Sequence, residues 1–170
     1  YPKLPYNPLS DLVPIVQIAD VPNVLVVNPS VPAKTVDELI AWADVFITSY
    51  LPSTRTKLRL MPDDVWKVNA RCVYAIGSGQ GLEGPDSDQG GFDFVSFWAR
   101  GGLGHILTPQ GGPLVMSRGA IGDAPSGAFL AGGIAAALVK QARTGEGSLV
   151  DVSLLGAAVW TLSVDLVATA

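Results

Sequence analysis

The fold turns on one stretch, 44-DVFITSYLPSTRTKLRLMPDDVWKVNARCVYAIGS-78. Its opening run, 44-DVFITSY-50, is rich in β-branched and aromatic residues and reads as a strand that ends in a loop with Pro52. The segment 62-PDDVWKVNA-70 reads as a short helix. Its Asp63 and Asp64 fall in the first turn, where negative charge meets the positive end of the helix dipole. The apolar run 72-CVYAIGS-78 then reads as a second strand. Strand, helix and strand in that order favour a parallel α/β unit, because parallel strands need a long crossover between them.

Upstream, 35-TVDELIAWA-43 has the look of a helix, with Thr35 and Glu38 at capping-box spacing. Residues 1–34 carry too many prolines for a long helix, and 24-VLVV-27 reads as a short buried strand. Downstream lie a glycine-rich loop over 77–91, a helix with an aromatic face in 92-FDFVSFWARGG-102, and an irregular stretch over 103–122. Residues 124–142 give the strongest helix pattern, closed by 143-RTGEG-147. A strand, 148-SLVDVSL-154, and a helical apolar tail over 155–169 complete the series.

A chain of 170 residues, 48% hydrophobic and 15% charged, has enough apolar content for a domain with a real core and is no disordered segment. A net charge of −4 argues against a nucleic-acid partner. No apolar run is long enough to span a membrane, and no leader pattern is seen, although a chain that starts at Tyr1 can be a piece of something longer. The single cysteine, Cys72, cannot form an internal disulfide, suits a reducing compartment and reads as a small buried hydrophobe. One Cys and one His (His105) supply neither a typical metal site nor a Ser-His-Asp triad, so no metal is expected.

Gly79-Gln80-Gly81-Leu82-Glu83-Gly84 matches the dinucleotide pattern G-x-G-x-x-G. That pattern needs a helix to open directly, whereas Pro85, Asp86, Ser87 and Asp88 continue the loop. A turn-rich loop that brings backbone close to a ligand is the better reading. Arg55, Lys57 and Arg59 form a basic cluster, either a solvated face or a phosphate contact. Asp123 stands at the mouth of the apolar helix, among Gly119, Gly122 and Gly127. It is either an N-cap, accepting a backbone N–H of the first turn, or a nucleophile at a helix end that stabilises negative charge; both can hold together.

Four pieces, in order, resemble the family III CoA-transferases, the formyl-CoA transferase and carnitine CoA-transferase group. They are 43-ADVFITSYLPSTRTKLRL-60, 63-DDVWKVNARCVYAIGSGQGLEGPDSDQGGFD-93, 118-RGAIGDAPSGAFLAGGIAAAL-138 and 143-RTGEGSLVDVSLL-155. The resemblance implies an α/β fold, here a partial parallel-sheet domain with flanking helices. It implies CoA transfer between an acyl-CoA and a small carboxylic acid, with no permanently bound cofactor and the CoA thioester as substrate. It also implies a homodimer in the complete family member and a cytoplasmic setting. Gly122-Asp123-Ala124-Pro125-Ser126-Gly127 aligns with the family's G-D-x-x-x-G segment, which makes Asp123 the nucleophile and an aspartyl-CoA thioester the intermediate. Ser49, Tyr50, Leu51, Pro52 and Ser53 take the place of a CoA-contacting N-F-R-P-G segment, with leucine at the arginine position. Lys57 matches a basic position that contacts a CoA phosphate, and Gly91, Phe92 and Asp93 match a segment beside the acyl site. The related α-methylacyl-CoA racemases carry a proton-transfer histidine where this chain has Phe92, which favours transfer over racemisation.

Residues 5-PYNPLSDLVPIVQIADVPNVLVVNPSVPAKTVDELIA-41 resemble instead the solute-binding proteins of tripartite tricarboxylate transport. The chain therefore reads as two parts, a transporter-like segment over 1–41 and a partial CoA-transferase domain over 42–170, with the seam near Ala41-Trp42-Ala43. Rival functions are a carboxylate-binding module of the transport type and an inactive transferase fragment.

Overall fold

A computed structural model of the chain describes Asp11 and residues 24–168. The chain divides into two units, Tyr1–Val31 and Pro32–Ala170. In the first unit the described part is local. Asn28 Oδ1 accepts the Ser30 N–H at 2.9 Å, and Asn28 O accepts the Val31 N–H at 2.9 Å. The strand expected at 24–27 is not there: Val24, Leu25 and Val26 are exposed and lie in no ladder. Apolar, β-branched residues are not enough for a strand when no neighbour offers its backbone.

The second unit is built on three parallel strands in the order β1 (Val45–Thr48), β2 (Val73–Ser78), β3 (Ser148–Ser153). The register pairs Val45 with Val73 and Val73 with Ser148. Side chains alternate across the sheet. Phe46, Tyr74 and Ile76 face one side, where a core forms with Ile40, Val65 and Cys72. That side is covered by α1 (Val36–Trp42) and α3 (Pro62–Val68). The opposite side is covered by α5 (Asp123–Thr144), whose Leu130 meets Gly77 and whose Gly133 admits Val150. The α/β architecture with a parallel sheet and flanking helices is the one expected.

Local chemistry explains the boundaries. Thr35 and Glu38 form the reciprocal capping box that starts α1. Asn69 Nδ2 donates to Ile40 O and Ala43 O and so stops it. Gly145, in the left-handed region at φ 77°, closes α5 by donating to Gln141 O. One expectation fails after β1. Pro52 does not belong to a loop but opens α2 (Pro52–Leu58) at its first position, where the missing N–H costs nothing. The aromatic segment is a π-helix, Asp93–Arg100, followed by a short α4 (Leu103–Leu107) inside the stretch read as irregular. The apolar tail becomes α6 (Leu154–Thr161) and α7 (Ser163–Ala168). Phe97 of the π-helix packs on Ala157 and Ala158 of α6.

Candidate active site

The three strands point their carboxyl ends into one cavity of about 440 Å³. Crevices of this kind, at the carboxyl ends of a parallel sheet, are where α/β proteins bind ligands. Ser49 and Tyr50 follow β1, Gly77 and Ser78 end β2, and Val152 lies near the end of β3. The glycine-rich loop supplies backbone along another wall. There Gly79 and Gly91 approach so closely that a Cβ on Gly79 would stand 2.5 Å from Gly91 Cα. Asp88 Oδ1 accepts the Ser53 N–H at 2.9 Å and fastens this loop to the start of α2.

Asp123 lines the cavity as the first residue of α5. The capping reading is corrected here: Gly122 holds the cap position, and no side chain caps the helix. Asp123 is exposed, and it takes no part in the ion pairs Asp64–Lys67, Asp86–Arg100 and Glu146–Lys140 seen among the described residues. Ser126, Gly127 and Leu130 line the same cavity. With Asp123 they fall at i, i+3, i+4 and i+7, so a single stripe of α5 faces the space. The start of that helix is held by Asp93, a buried residue of the π-helix whose Oδ1 accepts the Gly122 N–H at 2.8 Å.

Of the residues singled out in the sequence, Ser49, Tyr50, Leu51, Phe92 and Asp123 come together around the cavity. Asp93 lies behind the wall and works through Gly122. Lys57 is exposed on α2 and does not line the cavity. His105 is exposed on α4, also outside it.

Two wall residues carry more than the sequence reading gave them: Arg55 was read only as one of a basic cluster, a solvated face or a phosphate contact, and Ser126 only as part of the G-D-x-x-x-G segment. Arg55 is 3% exposed and lines the cavity, with its Nε hydrogen unaccepted. Ser126 is buried with an unpaired Oγ. The available signals were spacings: Arg55 lies four after Leu51 and three before Leu58, and Ser126 lies three after Asp123. Burial pushes the Tyr74 phenol above its ordinary value, and the Arg55 guanidinium beside it pulls it back. Desolvation likewise raises the Asp151 carboxyl, against the pull of Arg55. Burial also raises the Cys72 thiol, as befits a small residue packed in the core.

The model of CoA-transferase family III matches residues 26–170. The chain belongs to the family III CoA-transferases. This family III chain is similar to cinnamoyl-CoA:phenyllactate CoA-transferase of Clostridium sporogenes, 35% identical over 131 residues, which are 77% of this chain and 32% of that protein. It is likewise similar to succinyl-CoA:glutarate CoA-transferase of Mus musculus, 35% identical over 76% of this chain and 30% of that protein. Among solved structures, a hypothetical protein (Rv3272) from Mycobacterium tuberculosis superposes with a TM-score of 0.72 at 29% identity, covering 78% of this chain and 37% of that one. The family III chain spans about a third of the length of the curated relatives it matches. Its first part is also similar to the tripartite tricarboxylate transporter family receptor, whose model matches residues 1–50. Among the described residues, no helix is long and apolar enough to cross a membrane.

Proposed function

We propose that this chain carries the nucleophile-bearing part of a CoA-transferase, and that Asp123 is the nucleophile. The observation that supports this most is its position: an exposed, uncapping carboxylate at the first turn of a 22-residue helix, lining a cavity at the ends of three parallel strands. The Asp123 carboxylate attacks the carbonyl carbon of an acyl-CoA, the C–S bond breaks, and CoA leaves as thiolate from a mixed anhydride. The thiolate then attacks the Asp123 carbonyl of the anhydride and releases the donor acid as carboxylate. The aspartyl-CoA thioester left behind is attacked by the acceptor carboxylate, and the expelled thiolate takes the acceptor acyl group. Each step exchanges one anion for another, so no general base is required. The positive end of α5 favours the oxyanions that form on the way.

The strand-end residues Ser49, Tyr50 and Leu51 would border the thioester end of CoA, and Lys57, outside the cavity, would meet a phosphate. Phe92 cannot carry a proton, so the site is assigned to transfer rather than racemisation. The domain reading stands with this proposal: residues 42–170 are the partial transferase domain and 1–41 the transporter-like segment. We place the reaction in the cytoplasm and assign the complete protein a homodimeric state. The transport-type binding reading rests on residues 1–50 alone.

The test is to incubate the chain with an acyl-CoA, quench with hydroxylamine and map the product by peptide mass spectrometry. A hydroxamate is expected at Asp123 and is absent in Asp123→Asn, which keeps its fold because the position is exposed. Adduct at another residue, or CoA exchange by the Asn variant at the parent rate, overturns the assignment.

A further inference from the structure

We propose that Arg55 is an anion receptor in the cavity wall and takes the second carboxylate of a dicarboxylic substrate. This rests on the transferase reading and narrows its substrate class. Of three basic residues on or beside α2, Lys57 and Arg59 are exposed, whereas Arg55 is turned into the protein and is 3% exposed. It lines the same cavity as Asp123. Its Nε finds no acceptor, and it forms no ion pair among the described residues. Its neighbours supply no anion. The neutral Tyr74 phenol beside it accepts from the guanidinium and gives its own proton to Leu60 O, so the charge itself is not neutralised. Asp151 feels Arg55 only from beyond ion-pair distance.

A guanidinium keeps its charge at any physiological pH, and a buried charge without a partner is costly. A carboxylate arriving in the cavity removes that cost and fits the planar fork with two parallel hydrogen bonds. Among the described residues, Arg55 and Asp123 are the only charged ones on the cavity wall, one of each sign. The same wall carries apolar side chains such as Leu82, Leu130 and Val152. An acyl group with a carboxylate at its far end therefore meets complementary chemistry at both ends: the thioester at Asp123 and the free acid at Arg55. The phosphates of CoA are the other anions at hand. They lie a whole pantetheine arm from the sulfur that must reach Asp123, and a pyrophosphate probe distinguishes them.

Calorimetric titration of the whole chain tests this without turnover. The probes are glutarate, its monomethyl ester, pentanoate and inorganic pyrophosphate. Glutarate is expected to bind about ten-fold or more tightly than the half-ester or pentanoate, the scale of one charge-assisted bidentate pair. Arg55→Met is expected to abolish that preference, Arg55→Lys to keep part of it, and Asp123→Asn to keep it in full. Equal binding of glutarate and its half-ester, no binding of any acid, or a preference that survives in Arg55→Met overturns the proposal. So does pyrophosphate binding more tightly than glutarate in an Arg55-dependent way, which would assign the receptor to the nucleotide. Should Arg55→Met not fold, the diacid and half-ester comparison on the unaltered chain decides alone. Because Asp123→Asn is expected to retain the preference, failure of the nucleophile assignment and failure of the receptor are read separately.

Discussion

At the scale of single residues, charge and its surroundings set what each group can do. Asp151 pairs with Ile76 across the ladder, and desolvation lifts its carboxyl above the ordinary value, with Glu83 adding to the rise and Arg55 opposing it. Its folded form thus holds a proton at pH values where the unfolded chain has lost it. The stability it contributes is present below the ordinary carboxylate value and is lost as pH rises through the folded one. Asp151→Asn is therefore expected to melt higher than the parent at neutral pH, with the gap closing on acidification below the ordinary carboxylate range. Melting curves across that window check it; a gap that widens toward acid would reverse the sign. That Asp123 lines the cavity was foreshadowed in the sequence, where its G-D-x-x-x-G context resembles a segment of the family. The burial of Arg55 was not, since which one of the three clustered cations turns inward depends on which face of a short helix the sheet selects.

At the scale of elements, the start of α5 is fixed by contact rather than by a cap. Gly122 sits where a Cβ would come within 2.1 Å of the Phe97 ring and 2.5 Å of Asp93 Oδ1. Gly122→Ala must therefore displace α5 or the π-helix, at a cost of about 1–3 kcal/mol in urea unfolding, and should weaken acylation of Asp123. Gly132, on the same helix with open space around it, gives the control. Gly132→Ala is expected to stabilise by about 0.5–1 kcal/mol through helix propensity. Equal effects of the two substitutions would dismiss the steric account. The three strands, α1 and α5 were readable because periodicity, β-branching and the Thr35–Glu38 box all agreed. α2 was missed because Pro52 reads as a break unless it falls at the first helical position, and that depends on Leu51 leaving the strand in extended backbone. The 24–27 strand was over-read because a ladder needs a partner that sequence patterning does not reveal.

At the scale of the whole molecule, the apolar surface is large. Ile47 on β1, Leu149 on β3, and Trp160, Val164 and Val167 on the last two helices are all exposed. β1 and β3 are the edge strands of the described sheet, and open edges with apolar side chains invite pairing with other chains. The isolated chain is expected to self-associate at micromolar concentration in sedimentation velocity. Lysines at Ile47 and Leu149 are expected to reduce that association. A single monomeric species across the concentration range would contradict the expectation.

The close approach of Gly79 and Gly91 has a consequence for how such a protein can diversify. Where two chain ends touch, the segment between them can change length or composition while its anchor points stay put, and lengthening a loop adds little entropic cost. Residues 80–90 are thus a cassette, held at its stem by the two glycines and stapled outside by Arg100 to Asp86. A graft from a relative with a different acid could reshape the mouth of the cavity and leave the helix that carries Asp123 undisturbed.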